Sequence, residues 1–227
     1  MLNSDGIDID ASRYVTVSDC IIDTGDDAIT LRACEHRIKN KDMHCEFVTI
    51  TNCVLSTGIC AFRIGVGFGT IRHARISNIT VKQATNIVQF CTAYGNKGQA
   101  NIEDVNFSNI SATNTCRCFQ AFANNGSYIK NVTLENIRST STVRNYIERN
   151  DGEIDNFNLR NVEINFHDAS TDLSKVELDY RGNRLLYLKE ANNVTLDNVK
   201  ISGSLYGVDT PIEILDCDGL VKKDCNF

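Results

Sequence analysis

The chain has 227 residues, 42% of them hydrophobic, with ten cysteines, one proline, no tryptophan and a formal net charge of −6. That length suits one domain with a real core. The acidity, with no basic run, argues against a nucleic-acid partner, and no apolar stretch approaches the ~20 residues of a membrane span. The cysteines are too few for a disulfide-built miniprotein, and a nearly proline-free chain suits many short stacked strands. Met1-Leu2-Asn3-Ser4-Asp5 has neither the charge nor the apolar run of a signal peptide, so the compartment stays open: secreted if a signal lies upstream, cytoplasmic otherwise.

Two early segments, Asn3-Ser4-Asp5-Gly6-Ile7-Asp8-Ile9 and Gly25-Asp26-Asp27-Ala28-Ile29-Thr30-Leu31, superimpose in register. Asp5 falls opposite Asp27, Ile7 opposite Ile29, Asp8 opposite Thr30 and Ile9 opposite Leu31. As neighbouring parallel strands they bring Asp5, Asp26 and Asp27 together within about one strand spacing, ~4.8 Å. Crowded carboxylates raise one another's pKa. One can then stay protonated as an acid while another stays ionised as a base.

The unit apolar-polar-apolar-polar-Asn-apolar then recurs along the chain. It begins at Val15-Thr16-Val17-Ser18-Asp19-Cys20, with Asp in the Asn slot, and continues at Val48–Cys53, Ala74–Ile79, Val105–Ile110, Val132–Ile137, Phe157–Val162 and Val194–Val199. From residue 19 to residue 198 the steps are 33, 26, 31, 27, 25 and 37. Alternation at period two means strand, and repeats of this length with variable insertions mean a solenoid. Leucine-rich repeats are the rival, but their Leu signature is absent.

The pattern predicts an all-β fold: one right-handed parallel β-helix with about seven coils. It spans residues 3 to about 203, within a single domain 1–227 whose tail acts as a C-terminal cap. Each repeated Asn is expected to stack its amide on the next where the chain turns. The sequons Asn131-Val132-Thr133 and Asn193-Val194-Thr195 read as by-products of that turn.

Cys20 and Cys53 share a slot in consecutive rungs and read as core thiols. Cys116-Arg117-Cys118 is too strained for a direct bridge. Cys34 and Cys45 flank the charged loop Glu35–Asp42 and are placed to bridge it, as are Cys217 and Cys225 to pin the tail. No metal spacing is present, and His36, His44, His73 and His167 are scattered.

With these motifs the chain resembles glycoside hydrolase family 28, the polygalacturonase-like enzymes. The family's signature segments are Asn-Thr-Asp, Gly/Gln-Asp-Asp, Gly-His-Gly and Arg-Ile-Lys. Asn3-Ser4-Asp5 looks like the first and Gly25-Asp26-Asp27 matches the second. The resemblance implies Asp26 as general acid, Asp5 and Asp27 as the groups that bind and activate water, and inversion at the anomeric carbon, with no metal or cofactor. It also implies an acidic, galacturonate-containing pectin-type polysaccharide or oligosaccharide as substrate.

The departures are specific. Cys60 stands where the family has its His, and Gln89-Phe90-Cys91 stands where Arg-Ile-Lys belongs. Arg63 aligns with Thr30 and Asp8 and is expected either to meet a uronate carboxylate or to pair with Asp8. Asn3, Asp8, Cys60, Arg63 and Gln89 complete the expected substrate-binding set. Family members also carry coils before the Asn-Thr-Asp segment. An open N-terminal end is therefore expected to favour self-association. Two other readings stay open on the same scaffold: a polysaccharide lyase or epimerase using the Asp patch for Ca²⁺, and a catalytically silent carbohydrate-binding solenoid.

Overall fold

The structure is a computed structural model and describes residues 4–34, 39, 44–94, 98–167, 184–205, 208 and 210–227. Asn3, His36 and most of the loop after Cys34 lie outside the described residues. Wherever apolar and polar residues alternate, the chain forms strand. In order these are β1 (Ile7–Asp10), β2 (Arg13–Ser18), β3 (Ile21–Thr24), β4 (Ile29–Ala33), β5 (Cys45–Thr57), β6 (Cys60–Gly67), β7 (Thr70–Cys91), β8 (Asn101–Ala112) and β9 (Thr115–Ala123). There follow β10 (Tyr128–Ser141), β11 (Asn145–Arg149), β12 (Glu153–Phe166), β13 (Leu186–Lys189), β14 (Thr195–Asp197), β15 (Lys200–Gly203), β16 (Ile212–Leu215) and β17 (Val221–Lys223).

Every strand pairs in parallel with its counterpart one coil away, which winds the chain into a right-handed parallel β-helix. One sheet stacks β1, β4, β6, the second half of β7, β9, β11, β13 and β16. The other stacks β2 and β3, β5, the first half of β7, β8, β10, β12, then β14 and β15, with β17 last. The early register is the one read from sequence: Ile7 faces Ile29, Asp8 faces Thr30 and Ile9 faces Leu31.

The described coils number eight rather than seven, because the tail is itself a rung. Ile212 pairs with Leu186 and Val221 with Thr195, so the segment expected to cap the helix extends it. The rung escaped the repeat pattern because its alternation is broken: Val221 stands opposite Thr195 and Lys222 opposite Leu196, although Asp224 keeps the left-handed corner (φ 53°) as Asp19 does in the first unit.

The Asn of each repeat does the work expected of it. Asp19, Asn52, Asn78, Asn109, Asn136, Asn161 and Asn198 all adopt left-handed backbone, with φ between 52° and 57°. A single such residue reorients the strand at a corner, and Asn tolerates this conformation far better than β-branched residues do. From Asn78 to Asn198 each side-chain Nδ2 donates to the Oδ1 one coil earlier at 2.9–3.4 Å, and Asn52 donates to Asp19 at 3.3 Å.

A second left-handed column comprises Tyr14, Phe47, His73, Asp104, Asn131, Asn156 and Asn193. It begins as an aromatic stack, Tyr14 on Phe47 at 5.2 Å and Phe47 on His73 at 5.0 Å, then passes to Asp104 through His73 Nδ1 at 2.7 Å. Asn131 and Asn193 belong to this column, so the two sequons do arise at turn residues.

Charge alternates along one row of the second sheet. Arg13, Glu46, Arg72, Glu103 and Lys130 are neighbours in successive coils. Glu46 is buried and ion-paired at 2.6 Å to both Arg13 and Arg72. Burial pushes the Glu46 carboxyl up, but the two arginines outweigh this and hold it below the usual range.

Between the sheets lies a continuous apolar core with Phe62, Phe90, Phe107, Phe119 and Phe157 at its centre, edge-packed at 5.3–5.9 Å along Phe62–Phe107–Phe90–Phe157. All ten cysteines are free, so neither the Cys34–Cys45 nor the Cys217–Cys225 bridge forms. The Cys45 thiol instead donates to the Ile9 carbonyl inside the core, and the Cys225 thiol to that of Leu196. Each is held by a neighbouring coil and not by the other cysteine.

Candidate active site

Asp5 precedes β1, and Asp26 and Asp27 fill the turn between β3 and β4. Backbone hydrogen bonds lock the two segments together: Gly6 N–H to Asp27 C=O at 2.9 Å, Ile7 N–H to Ala28 C=O at 3.0 Å and Asp26 N–H to Ser4 C=O at 3.4 Å. The approach requires glycine at residue 6, since a Cβ there would stand 2.5 Å from the Ala28 carbonyl oxygen. One carboxylate oxygen from each of Asp5, Asp26 and Asp27 then lies within 4.8 Å of the others.

The three carboxylates have different surroundings. Asp27 is buried, 4% exposed, and both its oxygens are engaged. Oδ1 accepts from the Cys60 N–H at 3.1 Å and from Arg63 Nη2 at 3.1 Å, while Oδ2 accepts from Arg63 Nε. Asp26 is half-buried; its Oδ1 accepts from the Asp27 N–H at 3.0 Å. Its carbonyl takes hydroxyl hydrogen bonds from Thr24, at 2.9 Å, and from Thr57. Asp5 is exposed and opens onto a surface groove of about 530 Å³ formed with Ser4, Asp23, Thr24 and Gly25. Partial burial and the neighbouring charges of Asp8, Asp26 and Asp27 hold the Asp5 carboxyl above the usual range.

The expected binding residues separate in the same way. Arg63 faces Thr30 in the register anticipated from sequence, but its salt bridge is to Asp27 and not to Asp8. Asp8 pairs with Arg32 at 2.6 Å, because Arg32 lies on the neighbouring strand opposite Asp10. Gln89 faces Arg63 and accepts from its Nη1 at 2.7 Å and from the Cys60 thiol at 3.2 Å. Cys60 is fully buried and reaches the cluster through its backbone N–H; burial raises its thiol to about 12, so it stays protonated. Asn3 lies outside the described residues.

Several neighbours were not anticipated. Asp23 lines the groove beside Asp5. Tyr94 is 56% exposed, with the Arg63 guanidinium 5.3 Å from its ring centroid. Beyond Cys60 the row continues through Asn86 to Arg117, whose Nη1 donates to Asn86 Oδ1 at 3.2 Å. That row was within reach of the sequence. Cys60 to Asn86 is 26 residues and Asn86 to Arg117 is 31, the steps that separate Asn52, Asn78 and Asn109. Tyr94 carried no such signal, because it stands in a loop.

Fold and cluster together define a class: a right-handed parallel β-helix of the pectin-lyase-like kind, carrying an acid cluster at one edge of a sheet. Within that class the chain belongs to the glycosyl hydrolases family 28, whose sequence profile matches residues 2–185. It is similar to polygalacturonase-2 of Solanum lycopersicum, 30% identical over 159 residues that make up 63% of this chain and 32% of that protein. It is also similar to endopolygalacturonase A of Aspergillus niger, 25% identical over 197 residues, 77% of this chain and 48% of the relative. The polygalacturonase of Chamaecyparis obtusa is 29% identical over 158 residues, 61% of this chain and 28% of its own. These matches cover from under a third to about half of each relative's length.

Proposed function

We propose that this chain carries the acid site of an inverting glycoside hydrolase that cleaves a galacturonate-containing, pectin-type polysaccharide. The convergence of Asp5, Asp26 and Asp27 within 4.8 Å carries this reading. In it Asp26 protonates the departing glycosidic oxygen. Asp5, at the open groove, binds and activates water, and Asp27 is the fixed anion behind them. Asp8 is the substrate-side neighbour of Asp5, while Cys60 and Gln89 support Asp27 and Arg63.

Support for inversion comes from the family, not from spacing. Inverting carboxyl pairs typically stand about 6.5–9.5 Å apart, and the nearest oxygens here are closer. The product therefore decides the matter. Polygalacturonate and reduced pectic oligosaccharides are incubated with the protein while new reducing ends and the anomer first released are followed by proton NMR. Release of the inverted anomer, lost in Asp26→Asn, is the expected result. An ultraviolet-absorbing unsaturated product would indicate a lyase. Saturable binding without turnover would indicate a carbohydrate-binding solenoid. Either result overturns the proposal.

A further inference from the structure

The strongest unexplained feature beside the cluster is Arg63, an arginine only 9% exposed on β6. The resemblance suggested that it replaces the missing cations and meets a substrate carboxylate. Its contacts describe another task. Nε and Nη2 grip the two oxygens of Asp27 in a bidentate pair, and Nη1 is held by Gln89 Oε1 at 2.7 Å. The guanidinium lies 5.3 Å from the centroid of the Tyr94 ring, which favours a planar cation. The sheet makes this reach possible: Arg63 stands one rung beyond Thr30, and Asp27 lies just before that rung.

We propose that Arg63 is a positioning residue of the acid cluster, holding Asp27 in place as its permanent anion instead of binding the substrate's carboxylate. The idea rests on the hydrolase reading above and specifies how that site divides its labour. Three carboxylates within 4.8 Å cannot all stay ionised without a compensating cation, and Arg63 supplies one to a single member. Asp27 is the member that the guanidinium grips, while Asp5 and Asp26 stand outside that pair. Of those two, Asp5 has its carboxyl held above the usual range.

The groups facing Arg63 are Asp27 from the turn before β4, Cys60 from β6, Gln89 and Cys91 from β7, and Tyr94 from the following loop. Burial lifts the Cys60 thiol to about 12 and that of Cys91 to about 11, so neither competes for the guanidinium as an anion near neutrality. Asp27 is the one carboxylate among these groups. A lysine in its place would keep the charge but lose the fork.

The test compares wild type with Arg63→Gln, Arg63→Lys, Asp27→Asn and the Arg63→Gln/Asp27→Asn double variant, on acidic and on esterified oligosaccharides. Arg63→Gln is expected to lower kcat roughly 100-fold while KM for the acidic substrate changes less than about threefold. The acid limb of its kcat/KM profile should move to higher pH by about one unit. Arg63→Lys should restore the position of that limb but only part of kcat, and the double variant should be no slower than Asp27→Asn. A roughly tenfold rise in KM confined to the acidic substrate, with kcat kept, would assign Arg63 to substrate binding and overturn the proposal; additive losses in the double variant would do the same.

Should Arg63→Gln not fold, Arg63→Lys carries the comparison. Should the wild type hydrolyse nothing, the hydrolase reading fails. The positioning role is then read from carbon-13 titration of the aspartate carboxyls. A change at Asp27 on replacing Arg63, larger than at Asp5 or Asp26, supports it, and an unchanged Asp27 refutes it.

Discussion

Two columns of the β-helix make an instructive comparison. In the asparagine corner the same slot is filled coil after coil by the same residue. Each amide from Asn78 to Asn198 donates to the one before it. In the acid column the slot holds Asp twice, as Asp5 and Asp27, and then changes in every coil to Cys60, Asn86 and Arg117. A repeated residue forms one continuous self-satisfying ladder, which is a structural device. A slot free to differ from rung to rung can stack two carboxylates at strand spacing and then give way to other chemistry, and that is how a solenoid concentrates charge in one place.

The comparison can be broken most sharply at the acid column. Asp26→Asn is expected to lower turnover by a factor of about 10² to 10⁴ while leaving the thermal midpoint nearly unchanged, since the Thr24 and Thr57 hydrogen bonds go to the Asp26 carbonyl and survive the substitution. Retained turnover would remove Asp26 from the acid role. The opposite pattern is expected in the corner. Asn109→Ala loses the ladder bonds to Asn78 and Asn136 and puts a Cβ with no local partner at φ 56°. It should cost about 2 kcal/mol in denaturant unfolding with activity kept. Asn109→Gly, which accepts the backbone freely, should cost about half as much. Equal losses would show that the ladder, and not the left-handed backbone, dominates.

A smaller effect is expected at Glu46, which separates the charge row from both columns. Its carboxyl is held low in the folded state, so its contribution is present above the ordinary glutamate range and lost as pH falls through the folded value. Glu46→Gln should destabilise by about 1–2 kcal/mol at neutral pH, and the gap from wild type should close under acid. A pH-independent gap would exclude the ion pairs with Arg13 and Arg72 as its cause.

The smallest effect is expected at Asp5 and has the reverse sign. Its carboxyl is raised in the fold, so the folded state binds the proton more tightly than the unfolded chain does. Stability then falls as pH climbs from the ordinary aspartate value, 3.8, through the folded one. Asp5→Asn should therefore melt slightly higher than wild type near neutrality and match it in strong acid, while losing turnover. A variant less stable than wild type at neutral pH would contradict the crowding of Asp5 by Asp8, Asp26 and Asp27.

Much of this was legible in the chain. The steps between Asn52, Asn78 and Asn109 give the coil length, and Asp5-Gly6-Ile7 set against Asp27-Ala28-Ile29 gives the register that the strands adopt. These are one-dimensional properties. Alternation selects strand, a left-handed residue selects the corner, and stacking identical units leaves a single register that keeps every apolar side chain inside.

What the sequence left open belongs to the third dimension. Arg63 sat in the right row, yet nothing in the row said that it would reach Asp27 while Arg32 took Asp8. The spacing of Cys34 and Cys45 suggested a bridge, but Cys45 turns into the core beneath Ile9. The last rung was hidden because Lys222 stands where the preceding coil has Leu196, which breaks the alternation. Periodicity states which residues share a face and a rung. Which partner a long side chain or a thiol takes depends on distances between rungs and on burial around each group, and only the folded solenoid sets those.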